Sequence, residues 1–229
     1  MSGAIRIILC LLALPWPLAS AAPWVREDAE LFARWAVARE RVETLDAWRS
    51  DLYVEYGLNG DWTITGKFEG VAYDEAADFN SEGWRATARK KLFQRGNIVG
   101  SAEFGALKGA AIGGANGCET LGLELRSGLA WSGRLRKVET FAFGEVAGRF
   151  HDGCRRERYE FGFGQKMTQN IWVVSQAFVE RGDQNARSDK IQTELLWKSG
   201  RLETSLGYRQ EVGGRFQEES IFVAVAKHF

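Results

Sequence analysis

The sequence is short of proline, histidine and cysteine, and each shortage excludes something. All three prolines, Pro15, Pro17 and Pro23, lie at or before residue 23, although average usage of about 5 per cent would put roughly ten more in a chain of this length. A proline-free chain can be hydrogen-bonded strand after strand. Histidine occurs only twice, as His151 and His228, which leaves little material for a histidine base or a metal cluster. Beyond the first 22 residues there is no long apolar run, and mean hydropathy is −0.27. Membrane-spanning helices are thereby excluded, since each needs about 20 apolar residues. A transmembrane barrel is not excluded, because alternating strands hide their hydrophobicity from any average.

The apolar opening has its own logic. "MSGAIRIILCLLALPWPLASAA" places Arg6 before the apolar stretch Ile7–Leu14 and small residues at Ala19 and Ala21, the order of a secretory signal peptide. Pro15 and Pro17 interrupt it too early for a retained helix. Cys10 lies inside the apolar run, not at a cleavage point, so a lipoprotein is excluded. The expected division is a cleaved signal over 1–21 and a single domain over 22–229. Arg6 and Cys10 leave with the signal, so a formal charge of −1 remains, which argues against nucleic acid as a partner.

From about residue 29 the dominant period is two. In "RLETSLGYRQEV", Leu202, Thr204, Leu206, Tyr208 and Val212 alternate with Arg201, Glu203, Ser205, Gly207, Arg209 and Glu211. One face suits lipid and the other suits water. The same alternation runs through "KIQTELLWK", "ETLGLELRSGLAW" and "ERYEFGFGQ". Helical spacings of three and four are missing from these segments. Counting runs between turn signals gives about twelve strands, near 29–41, 47–58, 62–74, 84–94, 97–109, 119–131, 134–149, 155–166, 170–181, 189–198, 201–212 and 217–229. The strand over 134–149 is the least regular, because Phe141 and Phe143 share a face with Lys137, Glu139 and Glu145.

Connection lengths then alternate. "NGDW", "QRGN", "SGR", "MTQN" and "KSGR" read as tight turns, with Asn59-Gly60 the strongest hairpin signal. "VETLDAW", "YDEAADFNSEG", "GAAIGGANGCET", "FHDGC", "ERGDQNARSD" and "EVGGRFQEE" read as longer, more polar loops. Short turns on one rim and long loops on the other are expected of an outer-membrane barrel, periplasmic and external respectively. An even strand count puts both termini on the periplasmic side. Cys118 and Cys154 then fall in adjacent external loops, where a disulfide is chemically permitted; two unpaired thiols are the alternative, and a metal site has only His151 nearby.

At this point the chain resembles Gram-negative outer-membrane β-barrel proteins over essentially its whole mature length. The resemblance is most specific in "ESIFVAVAKHF", where Ile221, Val223, Val225 and Phe229 share one face. In that class a terminal aromatic with alternating apolar residues behind it is the signal read by the barrel-assembly machinery, so the resemblance implies that role for Phe229. Lys227 departs from the pattern, since an aromatic commonly stands there. "LYVEYGLNGDWTITGKFEG" is similar to an early hairpin of uncharacterised putative-transporter barrels, and no functional residue is carried across from it. The resemblance also implies outer-membrane lipid as surroundings, with the assembly machinery and periplasmic chaperones as partners during biogenesis.

The expected fold is therefore all-β, an antiparallel transmembrane up-and-down β-barrel. Its inward face carries both signs, including Arg85, Arg89, Lys91, Glu124, Arg126, Arg158, Glu160, Arg209 and Glu211. These charges either pair across strands and fill the interior or line a narrow polar channel. Arg85, Arg89 and Lys91 on one strand hint at an anion-attracting wall. Trp48, Trp62, Trp84, Trp131, Trp172 and Trp197 lie near strand ends, where amphipathic rings prefer the headgroup level. "HDG" at 151–153 is first of all a turn pair, and no serine stands in a recognisable motif beside it. "GLKGAAIGGANG" lacks the Gly-Lys-Ser/Thr of a phosphate loop. No cofactor is expected. The expected function is a narrow or plugged pore for small polar solutes, or a barrel whose loops bind something. An outer-membrane lipid-modifying hydrolase and a soluble secreted β-sandwich or lipid-binding protein are the alternatives.

Overall fold

The computed structural model describes residues 23–109, 118–183 and 185–229. The expected signal peptide over 1–21 and the glycine-rich stretch 110–117 lie outside the described residues. Twelve strands follow one another: β1 (Leu31–Val42), β2 (Leu45–Gly57), β3 (Trp62–Tyr73), β4 (Ser81–Arg95), β5 (Ile98–Lys108), β6 (Gly122–Leu135), β7 (Val138–His151), β8 (Cys154–Lys166), β9 (Ile171–Gly182), β10 (Arg187–Ser199), β11 (Leu202–Gly214) and β12 (Glu218–His228). Each pairs antiparallel with its sequence neighbour, and β1 closes on β12 from Phe32↔His228 to Val42↔Glu218. Closure removes every sheet edge, the condition for placing strands in hydrocarbon.

Burial along the strands inverts the order of a soluble protein. On β12 every second residue from Glu218 to His228 is buried and those between are exposed. The exposed set is Glu219 near the outer end, then Ile221, Val223, Val225 and Lys227, with Phe229 following the strand, whereas Glu218, Ser220, Phe222, Ala224, Ala226 and His228 point inward. Around the barrel Trp35, Leu52, Phe68, Phe104, Leu125, Phe161, Leu195 and Leu206 all face outward. The largest fully buried side chains include Arg89, Glu40, Glu55, Glu124 and Glu203. A sandwich in water would bury the first group and expose the second. An outward apolar belt around a charged interior is a transmembrane barrel.

Several details differ from the sequence expectations. The connection expected over "VETLDAW" contracts to Glu43 and Thr44, and that over "FHDGC" to Asp152 and Gly153. The turn expected at "SGR" lies further on, because β6 continues to Leu135 and Arg136 and Lys137 make the turn at φ 50° and 72°. Glycine there would have been easier to read. Trp172 does not face the headgroups. It points into the lumen and packs with Phe141, Phe143, Val174, Leu196 and Ala130, because position 172 shares the inward phase of Val174 and Gln176 on β9. Phe141 and Phe143 are likewise inward, each lying over a glycine of β8, Gly164 and Gly162 respectively. Those glycines leave room for the rings.

Cys118 and Cys154 form a disulfide with Cα atoms 5.9 Å apart. It ties the connection after β5 to the first residue of β8. Phe229 donates its backbone N–H to the Leu31 carbonyl at 2.9 Å, and the Lys227 ammonium stands 4.5 Å from the centre of its ring. A lysine on the lipid-facing phase is accommodated at the rim, where its head reaches water.

Candidate functional site

Among the described residues, the lumen is where the fold gathers most of its buried charge. It is built by the inward phase of all twelve strands, plus a segment that periodicity does not announce. Residues 23–30 turn back into the barrel at the rim where β1 begins and β12 ends, the periplasmic rim of the expected topology. Trp24 enters the apolar patch on the barrel wall, edge-on to Phe141 at 5.7 Å and to Phe143 at 6.1 Å. Arg26 is buried, with its Nε donating to Glu55 at 2.5 Å and its backbone N–H to Thr63 Oγ1 at 2.8 Å. Its guanidinium also lies 4.3 Å from the Phe32 ring centre. Arg89 donates to the Trp24 carbonyl at 2.9 Å. The segment leaves the lumen through a turn at 27–30 in which Ala29 adopts φ 59° and donates to the Gly57 carbonyl. A Cβ on Gly57 would stand 1.8 Å from the Glu27 carbonyl oxygen, so this close approach requires glycine. At the rim His228 Nδ1 lies 3.0 Å from Glu30 and its Nε2 lies 3.3 Å from Glu203. The hydrogen bond to His228, with Arg26 behind it, holds the Glu30 carboxyl below the ordinary carboxylate range despite its partial burial.

Two cavities lie along the axis. The periplasmic one, about 1200 Å³, is lined by Trp24, Arg26, Lys91, Phe141, Trp172 and Lys198 among others. The outer one is much smaller, about 160 Å³, and its lining holds nine arginines and lysines against five carboxylates. On β4, Arg85 lines the outer cavity and Lys91 the periplasmic one, with Thr87 and Arg89 between them on the same face. On β2, Tyr53 lines the outer cavity and Glu55 follows it toward the periplasm. These intervening groups are knitted together: Arg89 donates to Glu103 at 2.8 Å and to Glu55 at 2.9 Å, and Tyr53 donates to Glu55 at 2.5 Å. Every one of them is buried. A cluster of paired charge on the β2, β4 and β5 wall, joined by Arg26 of the N-terminal segment, lies between the linings of the two cavities.

The expected inward charges occupy this lumen at distinct places. Arg85, Arg89 and Lys91 are spread along the axis and do not form one wall: Arg85 pairs with Glu124 at 3.0 Å, Arg89 sits in the charge cluster, and Lys91 pairs with Asp61 at 2.9 Å in a periplasmic turn. Glu124 is fully buried and takes Arg126 at 3.2 Å and Arg149 at 2.6 Å as well. Arg158 bridges Glu160 at 3.4 Å and Glu180 at 2.8 Å. Arg209 reaches Glu40 at 3.2 Å, and Glu211 lies 4.0 Å from Lys190. His151 is occupied at the far rim, its Nδ1 2.7 Å from the Thr120 carbonyl.

Sequence reasoning missed Trp24, Arg26, Glu40, Arg49 and Arg149. Glu40, Arg49 and Arg149 sit on the alternation of their strands and could have been found by extending it. Trp24 and Arg26 belong to no strand, and the apolar patch that receives Trp24 left its trace only in the irregular phase of Phe141 and Phe143.

No protein-family model matches this sequence, and no curated protein matches it. Solved structures do. A KdgM porin in complex with disordered oligogalacturonate superposes with a TM-score of 0.61 at 8% identity, over 86% of this chain and 99% of that one. An outer membrane channel from Pseudomonas putida F1 superposes with a TM-score of 0.62 at 8% identity, over 93% of this chain and all of that one. At such identity the likeness is one of fold, and the fold is the outer-membrane β-barrel.

Proposed function

We propose that the chain is a narrow outer-membrane channel for small polar solutes, held closed at rest by its own N-terminal segment. The observation that carries this reading is the docking of Trp24 and Arg26 inside a charged, water-compatible lumen, against a charge cluster that lies between two cavities. A barrel of twelve strands lies between the side-chain-filled small barrels and the open porins, so a short obstruction suffices to close it. The outward apolar belt supports residence in the outer membrane, and the similar folds of a porin and a channel support solute passage. A lipid-modifying hydrolase has less behind it, because the similar folds are those of a porin and a channel. Purified full-length protein in planar bilayers should give rare, small current steps. A variant lacking residues 22–28 should give longer and larger ones. Silent bilayers with both chains, where each migrates as a folded barrel on unboiled gels, would refute the channel.

A further inference from the structure

On the side of the lumen built by β4 and β6 to β9, ion pairs within 4.0 Å join four arginines, Arg85, Arg126, Arg149 and Arg158, to four carboxylates, Glu124, Glu145, Glu160 and Glu180. That network is balanced. A fifth arginine, Arg156, stands beside it with only 5% of its surface exposed. Among the described residues no carboxylate lies within ion-pair distance of Arg156, and its Nε has no hydrogen-bond partner.

Its neighbours across both ladders explain why. On β7 the residue opposite is Arg149, a like charge; on β9 it is Gly182, which has no side chain. The Arg156 side chain lies over that glycine, where a Cβ would come within 2.6 Å of its Cδ. The two acids whose charge reaches it, Glu180 and Asp183, are engaged elsewhere. Glu180 accepts from Arg149 at 3.3 Å and Arg158 at 2.8 Å, and Asp183 accepts the Arg155 backbone N–H at 2.9 Å. Like charges set directly opposite in a sheet repel, and a buried charge without its counter-ion is costly. Among the described residues this arrangement has one cation more than the neighbouring carboxylates pair with, two residues inside the external rim, on the strand that the disulfide at Cys154 begins.

We propose that Arg156, with Arg149 opposite it, holds an oxyanion at the outer end of the lumen: the carboxylate or phosphate group of a solute entering from outside. A guanidinium suits such a group, since its fork of donors matches two oxygens at once. The site needs an inward-facing barrel wall but not conduction.

The test is calorimetric titration of the refolded full chain in non-ionic detergent with inorganic phosphate, acetate and glucose at fixed ionic strength. One oxyanion should bind per barrel and glucose should not. Arg156→Gln should weaken that binding at least tenfold, and Arg156→Lys should weaken it less. Saturable binding of phosphate alone, or of acetate alone, supports the site and assigns the group. In chloride without added oxyanion, Arg156→Met should unfold in urea no earlier than the wild type, because it removes an unpaired charge. Binding that Arg156→Gln leaves unaltered, absence of saturable binding by either oxyanion, or early unfolding of Arg156→Met in chloride each overturns the proposal. Because conductance is not read, a silent barrel that still binds would overturn the channel and leave this site standing.

Discussion

Replacing Arg26 by alanine removes the side chain that ties the N-terminal segment to the lumen wall. Arg26 donates to Glu55 at 2.5 Å with both side chains buried, and removing one member of a buried ion pair costs about 3–5 kcal/mol. The low end applies, because Glu55 keeps Arg89 at 2.9 Å and the Tyr53 hydroxyl at 2.5 Å and is not orphaned. The backbone bond from residue 26 to Thr63 also survives the substitution. A loss of about 3 kcal/mol, at about 1.4 kcal/mol per tenfold, shifts the docked-to-released ratio by roughly a hundredfold. Amide hydrogen exchange of a peptide covering residues 23–30 reads that ratio, since the amides of Arg26 and Ala29 donate to the barrel itself, at Thr63 and Gly57. Protection should fall by about that factor while strand amides stay protected. Unchanged protection in Arg26→Ala would refute the seating described here.

Four further outcomes follow from the same contacts. Ala29→Gly should stabilise docking by up to about 1 kcal/mol, seen as slower exchange over 23–30, because alanine at φ 59° pays a left-handed penalty that glycine avoids. Acidification should release the segment: a carboxyl held below its ordinary range contributes stability that is present at neutral pH and lost as pH falls through its depressed pKa, so protection over 23–30, taken relative to the intrinsic exchange rate at each pH, should fall below the usual carboxylate pKa of 4.5, and Glu30→Gln should remove part of that fall. Breaking Cys118–Cys154, which closes a sequence separation of 36 residues, should lower resistance to urea by about 2–4 kcal/mol in the chain-entropy picture, measured on reduced and oxidised refolded protein. Phe229→Ala should reduce the yield of heat-modifiable barrel in outer membranes more than it changes the current through barrels that do assemble.

How much of this could be read from sequence depends on whether a residue's role is set by local period or by its spatial neighbours. The inward and outward sets on β11 and β12 follow from alternation alone, since a one-residue slip would carry Arg209 and Glu211 into lipid. Closure follows from strand count and from the absence of proline after Pro23. The turn at Arg136 and Lys137 was hidden because neither residue advertises positive φ, while Ser132-Gly133 does so without turning. Trp172 stands near a strand end, yet its phase with Val174 and Gln176 is what turns it inward. The docked segment is aperiodic, and its anchors Glu55, Thr63 and Phe141 lie on three different strands, so nothing local connects them. The unpaired state of Arg156 is likewise invisible in sequence, where Glu157 and Glu160 stand close by but point elsewhere or pair with other arginines.

The most direct measurement is single-channel current from the full chain and from a variant lacking residues 22–28, under identical salt and voltage after both are verified as folded barrels. The truncated barrel is expected to open more often and to a larger step than the full chain. Equal currents from the two, or none from either, would contradict a lumen closed by its own N-terminal segment.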